Sequence, residues 1–151
     1  MRNPEEYMAE AIRLAKMAAG AGDVPVGCVI SGPDGNIVGR GQNRREVNSC
    51  ATGHAEIEAI NEACRTLGTW RLTGCSMYVT LEPCPMCAGA VIMSRISSVY
   101  YGAREEQTGS CGSVINLFME NYGQSTKVYG GICENECREL IREFFKNLRR
   151  E

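Results

Sequence analysis

The chain alternates between β-rich and helix-forming runs, and that alternation limits its fold more than any other feature. Asn3 can cap a first helix, with Pro4 at its opening position and Glu6 at capping-box spacing. Met8, Ala11, Ile12, Ala15 and Ala19 continue that helix until Gly20 and Gly22 stop it. VPVGCVIS at 24–31 reads as a strand, GPDG at 32–35 as a turn and NIVGRGQN at 36–43 as the antiparallel return. RREVNSCATG at 44–53 is a polar loop. HAEIEAINEACRTL at 54–67 predicts a helix with Ile57, Ile60 and Cys64 as its apolar stripe.

CSMYVTL at 75–81 is β-rich, PMCAGAVIMSRI at 85–96 predicts an apolar helix, and SVYYG at 98–102 a short strand. A loop at 103–113, a brief helix at 114–121 and a last strand at 126–130 follow. A closing helix at 134–150 puts Cys137, Leu140, Ile141, Phe144 and Leu148 on its inner face. This order predicts a mixed sheet with helices on both faces, a three-layer α/β/α sandwich. Strands separated by helices should run parallel, and the first hairpin antiparallel. Nothing repeats and no linker interrupts the 151 residues, so a single domain over 1–151 is expected.

Composition removes several function classes. No apolar run approaches the roughly 20 residues of a membrane span, and MRNPEEYMAEAIRLAK is acidic and helical rather than a signal peptide. Nine cysteines, an odd number, argue against a complete disulfide framework, so reduced thiols and a cytoplasmic location are expected. A net charge of −2 means that any nucleic-acid surface must be local.

Chemistry concentrates in TLEPCPMCAGAV, residues 80–91, and in GHAE at 53–56. Cys84 and Cys87 have the spacing of a thioredoxin-like redox pair, and buried free thiols would look the same. Reading them with His54, the chain's one histidine, adds a third option. All three residues sit where a strand gives way to a helix start, where the partial positive charge of the helix favours thiolate. One imidazole and two thiolates make three protein ligands, the number a catalytic Zn²⁺ takes when water fills its fourth position. Glu56, two residues after His54, lies off the histidine's face and suits proton transfer better than ligation. Cys133 and Cys137 could clip a metal but lack a matching pair. Cys50 in CATGH could close a fourth position and make the site purely structural.

His54-Ala55-Glu56 with Pro83-Cys84-Pro85-Met86-Cys87 is the H-x-E…P-C-x-x-C signature of zinc nucleobase deaminases. VPVGCVI, GRGQNRRE, GHAEIEAI, LGTWRLTG, MYVTLEPCPMCAGAV and GSCGS extend the likeness over nearly the whole chain. Together they resemble the bacterial tRNA-specific adenosine deaminase family, which converts the wobble adenosine of an anticodon to inosine. The resemblance implies a five-stranded cytidine deaminase-like fold, one zinc with a bound water per subunit, and a homodimer acting on a tRNA anticodon loop. It makes His54, Cys84 and Cys87 the zinc ligands and Glu56 the proton shuttle. Asn43 would contact the target nucleoside, although a loop-capping asparagine reads the same way. Val26 and Pro83 would line the pocket, core packing being the alternative for Val26, and the Ala55 N–H would donate to the ring.

Two departures bear on substrate. The family's Asn-His pair before the last strand is Gly123-Gln124 here, and Glu105 stands where the family often has Asp beside the substrate. Arg138, Arg142, Lys146 and Arg150 form a basic row on the last helix that would either meet phosphates or face water. A deaminase of a free base or nucleoside, such as guanine or cytosine, keeps the chemistry and changes the substrate. A non-catalytic zinc-stabilised binding module is the third reading.

Overall fold

A computed structural model describes residues 2–149. Its first helix, α1 (Pro4–Gly20), begins as expected: the Asn3 side chain accepts the Glu6 N–H at 2.9 Å. Strands β1 (Gly27–Ser31) and β2 (Ile37–Gln42) form the antiparallel hairpin around 32–35. Helix α2 (Ala55–Leu67) leads to β3 (Ser76–Leu81), and α3 (Pro85–Met93) leads to β4 (Ser98–Ala103). β5 (Lys127–Tyr129) and α4 (Glu134–Arg149) complete the chain. The sheet order is β2-β1-β3-β4-β5, with β1 antiparallel to both neighbours and β3, β4 and β5 mutually parallel. Among the described residues no helix is long and apolar enough to cross a membrane.

Helices α1 and α4 cover one face of the sheet and α2 and α3 the other, so the three-layer, five-stranded expectation holds. Four tyrosines, Tyr7, Tyr78, Tyr100 and Tyr129, stack in a row across the α1 face, with successive ring centroids 4.5, 4.8 and 4.9 Å apart.

Several boundaries differ from the sequence pattern, for identifiable reasons. The run at 24–31 becomes strand only at Gly27, because Pro25 has no N–H to pair and the Val26 N–H turns back to the Val24 carbonyl. Helix α3 stops at Met93 rather than running to 96. The Ser94 hydroxyl bonds back to the carbonyls of Ala90 and Val91, and Arg95 takes a left-handed conformation at φ 65°. The helix expected at 114–121 is a single 3₁₀ turn, Leu117–Met119, capped by Asn116. Of the inner face expected for α4, Cys137 alone is fully buried, while Leu148 is 52% exposed.

The buried face of α2 is not the expected Ile57–Ile60–Cys64 stripe. Ala55, Ala59, Ala63 and Ile60 point inward with Glu56, leaving Ile57 and Cys64 half-buried. Small residues are needed there because the helix lies directly on β2. A side chain at Gly41 would land on the Ala55 carbonyl and the Ala59 nitrogen. That close approach seats the first turn of α2, and hence His54, at the end of the sheet.

Gly41→Ala should therefore destabilise the protein by about 1–3 kcal/mol, the usual cost of forcing volume into a packed core. Urea unfolding of the variant beside the parent protein measures it.

Candidate metal centre and cavity

His54 and Cys84 occupy equivalent places: each is the extended residue that caps a helix N-terminus, His54 for α2 and Cys84 for α3. Neither side chain caps its own helix, so both are left to point out of the sheet end. Pro85 opens α3, where its missing N–H costs nothing, and Cys87 follows within the first turn, fully buried.

These two helix starts, thirty residues apart, place three donor atoms together. His54 Nδ1 lies 3.6 Å from Cys84 Sγ and 3.5 Å from Cys87 Sγ, and all three donors fall within 4.8 Å of one another. A tetrahedral Zn²⁺ bound at about 2.3 Å from sulfur and about 2.0 Å from nitrogen needs N···S separations of about 3.5 Å. The observed spacing fits. Cys50 is exposed and hydrogen-bonded to Thr52, outside this cluster, so it does not close a fourth position.

The protonation of the cluster fits a cation as well. A hydrogen bond from Cys87 brings the Cys84 thiol down to about 4, while Cys87, holding the shared proton, is pushed up. The hydrogen bond to Cys84 raises His54 against the effect of its burial. A dication bound between these groups would take the place of the proton. Burial lifts the Glu56 carboxyl to about 7, close enough to neutrality to pick up and release a proton. The positive charge of a metal beside it would favour its ionised form.

A cavity of about 270 Å³ opens beside the cluster. It suits one base or nucleoside better than a larger ligand. Val26, Asn43, Ala55, Glu56 and Glu105 line it together with His54 and Cys84. Pro83 does not: it is buried behind Cys84, and its carbonyl accepts the Ser110 N–H. Asn43 is already engaged, donating from Nδ2 to the Val24 carbonyl and accepting the Arg45 N–H at Oδ1. It ties the loop down as well as facing the cavity.

Arg45, Glu82, Thr108 and Phe145, which the sequence pattern did not single out, also line the cavity, as does Ile141, expected on the inner face of α4 but not at a site. Phe145, four residues after Ile141, was the available sign that this side of α4 meets something. Of the basic row on α4, Arg138 pairs with Glu134 and Arg142 with Glu139, both on the exposed surface; Arg150 lies outside the described residues. A larger groove of about 700 Å³ between α1 and α4 is lined by Glu136, Glu139 and Glu143 and contains none of the metal donors.

Residues 1–103 match the family described as the cytidine and deoxycytidylate deaminase zinc-binding region. The chain is 45% identical over 152 aligned positions to the tRNA-specific adenosine deaminase of Bacillus subtilis, covering all of this chain and 94% of that protein. Among solved structures, one from a study of A-to-I editing by tRNA:A34 deaminases superposes with a TM-score of 0.85 at 38% identity. It covers 89% of this chain and 98% of its own. A guanine deaminase from Nitrosomonas europaea superposes with a TM-score of 0.84 at 25% identity, over 95% of this chain and 85% of its own.

Replacing Cys84 or Cys87 by Ser should abolish stoichiometric zinc and lower the melting temperature, since ligand loss and unfolding are linked. Cys50→Ala should keep its zinc. Metal analysis of the three purified variants decides, and full occupancy in the Cys87 variant would contradict the assignment.

Proposed function

Because the chain belongs to the cytidine and deoxycytidylate deaminase zinc-binding family, and within it to the tRNA-specific adenosine deaminases, we propose that it converts adenosine in a tRNA anticodon loop to inosine with release of ammonia. The observation that carries this reading is the three-donor cluster with a buried carboxylate beside it, opening on a cavity of nucleoside size.

Zinc held by His54, Cys84 and Cys87 would bring the pKa of a water in its fourth position toward 7, supplying hydroxide at neutral pH. Glu56 moves the protons: it takes one from the attacking water, passes it to the ring nitrogen and then serves the departing amine, as in zinc nucleobase deaminases generally. Its burial and its raised pKa support that role. The N–H of Ala55, at the first position of α2, is free of an intrahelical partner and aims the positive end of the helix at the base. Val26, Glu105 and Asn43 all line the cavity and would be the residues that meet the base and its sugar. The adenosine would leave its stack to enter so confined a cavity.

Arg45 at the rim supplies local positive charge to a chain that is acidic overall. A homodimer fits the exposed apolar residues Met93, on α3, and Val114, Ile115 and Met119, around the 3₁₀ turn that packs against α3. An enzyme acting on tRNA in this way would work in the cytoplasm.

A free-base or nucleoside deaminase is the second reading, favoured by Gly123-Gln124. The Gln124 amide donates to the Ile96 carbonyl and takes no part in the cavity. A non-catalytic zinc module is disfavoured by the absence of a fourth protein donor in the cluster among the described residues.

Glu56→Ala should retain zinc while losing deamination by about 10²–10⁴-fold. Ammonia release from an anticodon stem-loop carrying wobble adenosine should exceed that from guanine, cytosine, adenine or their nucleosides. Activity on the free bases alone would overturn the tRNA reading. Sedimentation should give a dimer that Met93→Asp with Met119→Asp converts to monomer.

A further inference from the structure

Glu82, the residue between β3 and Pro83, is a carboxylate almost sealed from solvent, 2% exposed, and it stands outside the His54–Cys84–Cys87 donor group. Every acceptor site it offers is filled from one stretch of chain. Its Oε1 accepts the Glu105 N–H at 3.1 Å and the Ser113 hydroxyl; its Oε2 accepts the N–H groups of Cys111 at 2.9 Å and Ser113 at 3.1 Å. Four donors for two oxygens is the full capacity of an ionised carboxylate.

The backbone adds two more ties at the same place. The Glu82 N–H bonds to the Ala103 carbonyl, and the Ser110 N–H bonds to the Pro83 carbonyl, one residue from Cys84. Gly109 passes so close that a side chain there would strike both the Glu82 carboxyl group and the Glu105 carbonyl of the loop itself. The stretch held in this way carries Glu105, Gln107 and Thr108, which form one wall of the cavity.

We propose that Glu82 is a positioning residue, a buried peg around which residues 105–113 wrap so that Glu105, Gln107 and Thr108 stand as a preformed wall of the nucleoside site. Among the described residues no other side chain from outside the loop accepts its backbone N–H groups, and without the peg the donors at 105, 111 and 113 would be left to water. The wall would then have to be ordered anew by each substrate, which weakens binding in the ground and transition states alike. The effect on substrate rests on the deaminase reading above; the effect on the loop does not.

Glu82→Gln keeps the shape but turns one acceptor oxygen into an amide NH2 that faces N–H donors. Gly109→Ala crowds the same carboxyl group and the Glu105 carbonyl while leaving the carboxylate intact, and Ser113→Ala removes one donor to Glu82 without touching the carboxylate, which keeps the proposal testable if E82Q folds poorly. Hydrogen exchange of the zinc-loaded proteins, read by mass spectrometry, should show amides of 105–113 exchanging about tenfold faster in each variant, with α2 unchanged. Zinc content should stay at the parent level. The KM for the anticodon stem-loop should rise about tenfold while kcat changes little.

Unchanged exchange at 105–113 in every variant would overturn the peg. Faster exchange with an unchanged KM would overturn its link to substrate. Loss of zinc in any variant would move the role to the metal site and overturn the proposal equally. A parent protein inactive on the stem-loop would instead defeat the reading of substrate, and the exchange measurement would still decide the role of Glu82.

Discussion

One imidazole and two thiol donors from two distant helix starts must meet at one point, and much of the architecture follows from that demand. Parallel β3 and β4, with α3 crossing between them, bring Cys84 and Cys87 to the end of the sheet. The hairpin β1–β2 sets β2 parallel to β3 with β1 between them, so that α2 starts at the same end. Helix dipoles add to the geometry: both N-termini favour the anionic form of a thiol and the binding of developing negative charge. The same positions would normally carry Ser, Thr or Asp as caps. Here His54 and Cys84 hold them without capping, giving up about 1 kcal/mol of helix stabilisation at each end. A metal bound by these donors would offset that loss and couple the site to the fold.

Around this rigid centre lie loops, and two buried carboxylates hold them. Asp23, 1% exposed, accepts the N–H groups of Glu46 and Val47 and so pins the loop that follows Asn43. Glu82 does the same for 105–113 on the other side of the cavity. Each uses the strength of a charge-assisted bond to backbone donors to fix a segment with few buried apolar side chains of its own. The arrangement resolves a common conflict, since residues that touch substrate must be exposed yet ordered.

Much of this was legible in the sequence. Alternating element types, the Asn3–Pro4–Glu6 start of α1 and the turn at 32–35 are local signals, and local signals read well. The metal cluster was legible because its residue types are rare and their chemistry specific: a single histidine and a Cys-x-x-Cys have few other joint explanations. The helix faces were less so. Hydrophobicity picked Ile57 and Cys64 on α2, whereas the close approach of Gly41 selected for smallness and turned Ala55 and Ala59 inward. Glu82 escaped notice because its meaning lies in four donors more than twenty residues away, a relation no local pattern carries.

The division between rigid centre and tethered walls also says where substrate choice resides. The donors and Glu56 stand on helix starts fixed by packing against the sheet, and nothing in them distinguishes one aminated ring from another. Discrimination would then fall to the rest of the cavity lining, to which Val26, Asn43, Glu105, Thr108, Ile141 and Phe145 all contribute. Phe145 lines the cavity yet is 40% exposed, an apolar surface on which a second base beside one in the cavity could stack. A free base would gain nothing from it. The exposed aromatic, the rim cation Arg45 and the small cavity therefore favour the same ligand: a single nucleotide turned inward from a longer strand whose neighbours stay outside.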